Sequence, residues 1–561
     1  MSTSINREIF NWTGPLGLPR FDRIQSQDYA AAFDQALKDD RRDINSIADS
    51  DQTATFENTI VALELAGENL SRVSALFWNF TGSNSNDTLR ALEREIAPQL
   101  SRHSSLTAAN KMLFARIDSL WQNRKSLHLN TEQERVLERI WKGFVRGGAA
   151  LADDDQKQLA EINARLAELG AAFSQNILAD EADWALIVEE DDLVGLPGFL
   201  RDAMQAAAEE RGHGGKYAVT LSRSIIEPFL TFSARRNLRE EAFAAWTARG
   251  ENAGKTDNRD GVREIVALRQ KKAQLLGYDS FASFKLENQM AKKPQAVIDL
   301  LETVWDKAKS KAADEEEALV ELISEEGHNH AVAPWDWRYF AEMLRTRKFD
   351  FNEAELKPYL ALDNIIAAAF DVANRLFGIT IKERADITAY HDDVRVFEVL
   401  NRDGSHRAVF LGDYFARSSK RSGAWMSGFQ SQHDLPTKAG KGQSPIIVNV
   451  MNFAKAPAGQ MTLLSMDDAR TLFHEFGHAL HGILSNVTYP SVSGTSVARD
   501  FVELPSQVYE HWLTVPEVLS KHARHVETGE PIPQDLLDKV LAARTFNAGF
   551  AAVEFTASAL V

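Results

Sequence analysis

Two histidines and one glutamate within five residues give this chain its most specific chemistry: His474-Glu475-Phe476-Gly477-His478. Residues four apart share one face of a helix, so both imidazoles can reach a single metal ion. The glutamate between them then stands beside that ion, placed to take a proton from a water. The chemistry so predicted is hydrolysis by a metal-activated water, the pattern of zinc peptidases. Five residues recur by chance, so the flanks must carry the reading.

Upstream, Ser465-Met466-Asp467-Asp468 has the form of a capping box, which starts a helix at Met466. Leu472, Phe473, Phe476, Leu480, Ile483 and Leu484 give that helix one broad apolar face, and His474, His478 and His481 fall on another stripe. A third protein ligand must come from elsewhere. The metzincin pattern needs Gly at 481 and His at 484, but the chain has His481 and Leu484, so that class is excluded. A glutamate on a later helix is the remaining common solution. In residues 499–512, Phe501, Leu504, Val508 and Trp512 make an apolar stripe, and Glu503, Gln507 and Glu510 a polar one. Pro505 is tolerated only in a first helical turn, so this helix is expected to begin near Phe501 or Val502. On spacing alone Asp500, Glu503 and Glu510 compete for the metal.

The elements that must position these groups are mostly helical. Apolar residues recur at three and four from Thr55 to Phe80, with Thr55 and Asn58 as a start signal, and again over 156–177 and 293–325. The run Asp314–Glu317 reads as a solvated face. Turn-rich breaks fall near 147–153, 211–216 and 249–261. Val394–Leu400, a turn at Asp403-Gly404, Ala408–Leu411 and Ile446–Val450 read as strands of one small sheet. Residues 412–443, rich in Gly, Ser and Lys, read as loop around Gly423-Ala424-Trp425-Met426. A small sheet ahead of a zinc helix offers an edge to which an extended peptide can add, or serves only to support the helix.

The 561 residues suggest two to four lobes at a prior of roughly 150 per domain. The net charge of −17 supplies no basic stripe for nucleic acid and no attraction to anionic membranes. The absence of cysteine excludes disulfides, thiolate metal sites and a cysteine nucleophile. The first ten residues lack the layout of a signal peptide, and no apolar run is long enough to span a bilayer. A reducing, cytoplasmic setting is expected.

His474–His481, Ser493-Gly494-Thr495 and Asp500–Gln507 together closely resemble the thimet oligopeptidase and neurolysin family. Thr55–Thr59, Gly412–Arg417, Gly423–Met426 and Glu510-His511-Trp512 resemble its bacterial peptidyl-dipeptidase branch, with the oligopeptidase A type similar. The resemblance runs nearly end to end. It implies zinc, one ion per chain, held by His474, His478 and Glu503, with Glu475 as general base. It implies a mainly α, two-lobed gluzincin with a deep central channel and one small β-sheet near the active site. A helical wall over 1–225 and a catalytic region over 226–561 are expected. The implied reaction is release of C-terminal dipeptides from short peptides by a monomer. Internal cleavage of short peptides, and zinc-loaded peptide binding with little turnover, are the alternatives. Relatives continue beyond a point equivalent to Val561 through a segment that contacts the substrate. The catalytic region is therefore expected to be incomplete, with residues 538–561 as one helix bearing a partly exposed apolar face.

Overall fold

The β-rich segments pair into a five-stranded mixed sheet: β1 (Thr380–Glu383), β2 (Val394–Leu400), β3 (His406–Phe415), β4 (Trp425–Gln430) and β5 (Ile446–Phe453). Their spatial order is β1-β2-β3-β5-β4. The β3–β5 pair is parallel and every other pair antiparallel. β3 and β5 are near-continuous runs of buried residues, as strands covered on both faces must be. The structure is a computed structural model that describes residues 6–349, 353–417, 419–437, 440–456 and 459–561. The first five residues lie outside the described residues.

Helix α1 (Glu68–Ser83) covers one face of this sheet, with Val73, Leu76 and Phe77 in one cluster with Val396, Val409 and Val448. Behind the sheet, α2 (Leu362–Phe377) inserts Phe370 against Phe397 and Phe410, with ring centroids 5.2 and 6.3 Å away. The histidine-bearing helix α3 (Met466–Ile483) lies against the same core through Phe476, 5.3 Å from Phe370. These elements belong to one compact unit, Met1–Leu151 with Glu353–Pro533.

The second unit is Ala152–Asn352 with Gln534–Val561. Its helices include Asp153–Asp183 and Pro294–Glu325, and a short antiparallel pair joins Ala185–Val188 to Tyr217–Thr220. The division expected at 225/226 falls inside the helix Arg223–Phe232 of this unit. The units interleave along the chain because the last helix, Ala548–Leu560, returns to pack on Pro294–Glu325.

Four expectations about elements change. Thr55 and Asn58 do form a capping box, but the helical run breaks at Gly67 (φ 69°) before α1 begins. Within 412–443, residues 425–430, 433–437 and 440–443 are strands, because their backbones find ladder partners that composition does not reveal. Glu315 is not merely solvated: its carboxylate accepts the Gly549 and Phe550 N–H groups at 3.0 and 2.8 Å, capping the returning helix. Residues 538–561 are two helices, because Asn547 takes a left-handed conformation between them. Phe550 stacks on Trp337 at 4.3 Å, while Phe555 is 73% exposed. Among the described residues, no helix is long and apolar enough to cross a membrane.

Candidate active site

Helix α3 begins as its sequence signals: Ser465 Oγ accepts the Asp468 N–H and Asp468 Oδ2 accepts the Ser465 N–H, both at 3.0 Å. Phe473, Phe476, Leu480 and Ile483 are buried, so the opposite stripe is free to carry His474 and His478. The next helix, α4 (Leu504–Leu513), crosses α3 at Gly477. A β-carbon there would lie 2.6 Å from the Ser506 Cα and 2.9 Å from the Pro505 oxygen, so glycine is what permits the approach. Tyr509 locks the crossing by stacking on Phe473 at 5.5 Å and donating its hydroxyl to the Ala369 oxygen at 2.7 Å.

Helix α4 starts two or three residues later than expected, at Leu504, with Pro505 in its first turn. Glu503 is therefore the residue just before the helix, and the turn through Phe501–Glu503 delivers its carboxylate to the histidines. The loop between the helices is held from outside. Glu132 accepts the Thr488 and Tyr489 N–H groups at 2.6 and 3.1 Å, and Glu64 accepts the Ser491 N–H at 3.0 Å.

Glu503 Oε2 lies 3.3 Å from His474 Nε2 and 3.0 Å from His478 Nε2. One donor atom from each of the three residues falls within 4.8 Å of the others, and this is the only such group among the described residues. Ligands held tetrahedrally at about 2.0–2.1 Å from one zinc stand about 3.3 Å apart, so the donor spacing fits that ion. Burial lowers the His478 pKa below its usual value, which keeps the imidazole neutral and able to ligate. Of the three competing acids, Asp500 stays outside the group and Glu510 takes another post. Glu510 Oε1 sits 2.6 Å from His474 Nδ1, behind the ring. A carboxylate there fixes the tautomer that turns Nε2 towards the metal position. Spacing placed Glu510 on the right stripe, but only the crossing of α3 and α4 separates the carboxylate between the two histidines from the one behind His474.

Glu475 points differently from its neighbours. It is 7% exposed, and its Oε2 is buried without a hydrogen-bond partner. Burial, chiefly, pushes its pKa up to about 7; the nearby Glu503 charge adds to this and His474 opposes it. A carboxyl poised near neutrality and lacking a protein donor is suited to accept and return a proton. His481 is not in the ligand group; its ring packs 6.3 Å from Phe501, and its Nδ1 is buried and unpartnered.

Residues 229–561 match the family model described as peptidase family M3. The chain is 38% identical to the dipeptidyl carboxypeptidase of Escherichia coli (strain K12), with all of this chain and 82% of that protein covered. It is 34% identical to the oligopeptidase A of the same organism, over 95% of this chain and 79% of that one. The thimet-like oligopeptidase of Dictyostelium discoideum is 25% identical, over 93% and 78%.

Proposed function

The chain belongs to peptidase family M3 and is a metallopeptidase, and from that premise we propose that it is a zinc-dependent peptidyl-dipeptidase releasing C-terminal dipeptides from short oligopeptides. The observation that carries the reading is the convergence of His474, His478 and Glu503 on one point beside a buried, unpartnered Glu475 carboxylate. In this proposal the three residues hold one zinc ion per chain. When bound, the ion supplies Lewis acidity towards a peptide carbonyl and towards water.

The protein residues do the rest. Glu510 holds the His474 ring in place. Glu475 takes the proton of the attacking water at its unpartnered oxygen and returns it to the departing amine. In the metal-free chain burial raises the pKa of this carboxyl to about 7, and a bound cation beside it offsets that rise in favour of the carboxylate that accepts the proton. The preference for dipeptides rests on the likeness to dipeptidyl carboxypeptidases. The likeness to oligopeptidase A supports cleavage of internal bonds as a second reading. We place the working form as a single chain acting on cytoplasmic peptides.

Mass spectrometry of digests separates the readings. With zinc-loaded protein, free-acid peptides should shorten two residues at a time and C-terminally amidated ones should resist. Equal cleavage of both forms at internal bonds would replace the first reading with the second, and bound but uncut peptide would deny turnover.

A further inference from the structure

The strand β4 forms one edge of the sheet, paired on one side only, with β5. Among the described residues, the backbone of 426–429 makes no hydrogen bond outside the sheet. Two cavities lie along this strand and α1. One, of about 520 Å³, is lined by Glu64, Glu68, Arg72, His433 and the Gln430 end of β4. The other, of about 770 Å³, is lined by Trp78, Glu93, Arg421 and Trp425 at the opposite end. Both reach Ala75 and Gly428, so they adjoin and run the length of the strand.

The ends differ in charge. At the Gln430 end, two carboxylates face one guanidinium, since Arg72 pairs with Glu68 at 2.7 Å. At the Trp425 end, Arg90 is taken by Asp87 and Lys420 by Asp413, 2.7 Å away, and Glu93 lines the same cavity without an ion pair to Arg421. Arg421 is exposed and, among the described residues, has no carboxylate partner. Its guanidinium stands 4.7 Å from the centre of the Trp425 ring, which holds a planar, carboxylate-matching fork in place. We propose that Arg421 captures the free C-terminal carboxylate of a substrate peptide laid antiparallel along the open edge of β4. The proposal rests on the peptidyl-dipeptidase reading and names the residue that makes the free terminus matter.

Strand direction and the level of the histidine helix agree with this. An antiparallel strand beside β4 ends at the Trp425 side, where Arg421 waits, and begins at the acidic side, where an ammonium terminus is favoured. The metal-binding side chains lie towards the same end. Gly482 meets the Ile447 side chain, where an added β-carbon would come within 2.8 Å. Ile483 meets Arg407 and Phe476 meets Phe410 along β3, which is parallel to β5, so α3 runs antiparallel to β5. His478 and His474 are then about 6 and 12 Å back along the helix axis, which brings them towards Val450, the partner of Trp425. A terminus gripped at Arg421, four residues before Trp425, lies past the level of the histidines, on the side where a departing dipeptide must sit.

The test uses the full-length, zinc-loaded chain carrying Glu475→Gln, so that peptides bind uncut. Calorimetry compares a six-residue peptide as free acid and as amide. Adding Arg421→Gln should weaken the free acid on the order of 10-fold or more and leave the amide unchanged, whereas Arg421→Lys should keep part of the preference. An unchanged acid-to-amide ratio in Arg421→Gln, or no preference with Arg421 intact, overturns the assignment. The digest of the active chain separates the two failures. Dipeptide products with an unaffected ratio sink the role of Arg421 alone; internal cuts with a lost ratio sink the exopeptidase reading alone.

Discussion

Two buried carboxylates in the same unit have opposite fates. Asp413, at the end of β3, is fully buried and fully paired: Tyr390 donates at 2.8 Å, Arg417 at 2.7 and 2.6 Å, and Lys420 at 2.7 Å. Lys420 also donates to the Asp413 and Met451 oxygens at 3.1 and 2.8 Å, tying the loop after β3 to β5. Glu475, on α3, is nearly as buried and has an oxygen that no protein donor meets. The first arrangement spends its charge on holding strands together. The second leaves a deficit, and a deficit at a buried carboxyl raises its affinity for a proton. Burial alone therefore does not mark a working residue; unpaired burial beside a ligand cluster does.

The comparison breaks most sharply in turnover. Glu475→Gln should keep the fold and the zinc yet lose roughly 10²–10⁴ in kcat or more, read from initial rates on a dipeptide-releasing substrate. Wild-type rates would remove Glu475 from the proton transfer. Asp413→Ala should do the reverse. It strands the buried Lys420 and the partly buried Arg417, so a loss of about 3–5 kcal/mol is expected in denaturant unfolding, with any folded fraction still binding zinc. A stable Asp413→Ala protein without zinc would reverse the roles assigned to the two carboxylates.

A finer probe is pH. In metal-free protein the folded Glu475 pKa is about 7, against about 4.5 when unfolded. A raised pKa means the folded state holds the proton more tightly. The stability from this group is thus full below about pH 4.5 and is lost as pH rises through 7, on the order of 3 kcal/mol in all. The depressed His478 works in the opposite sense, losing stability as pH falls. Comparing metal-free wild type with Glu475→Gln isolates the glutamate: their stability difference should change between pH 5 and 8. A constant difference would show that Glu475 is not desolvated.

The smallest effect belongs to the carboxylate behind His474. Glu510→Ala should weaken zinc roughly 10–100-fold in chelator competition, without the collapse expected at Asp413. Unchanged affinity would make the contact with His474 incidental.

Much of this was legible before any coordinates. The capping box at Ser465, the helical period and the i, i+4 histidines are local patterns, and local backbone geometry decides them, so α3 appeared as read. The mainly helical class and the strands over 394–400 and 446–450 followed from the same kind of signal. The resemblance to the oligopeptidases, carried by residues 474–481 and 500–507, pointed to Glu503, where spacing left three acids open. Other features needed the tertiary structure, because they depend on residues distant in sequence. Strand β4 has a glycine in its middle and lies in a stretch rich in Gly, Ser and Lys, and the ladder that β5 offers makes it a strand. Asn547 breaks the last helical run because the chain must turn there to lay Phe550 on Trp337 and place its N–H groups on Glu315, more than 200 residues away. Gly477 looks like a mild helix defect until α4 crosses it. Glu503 and Glu510 are seven residues apart on similar-looking turns, and spacing alone does not rank them. The angle at which α4 meets α3 sends one to the shared side of both histidines and the other behind His474, since a carboxylate acts on whatever atom packing brings within 3 Å of it.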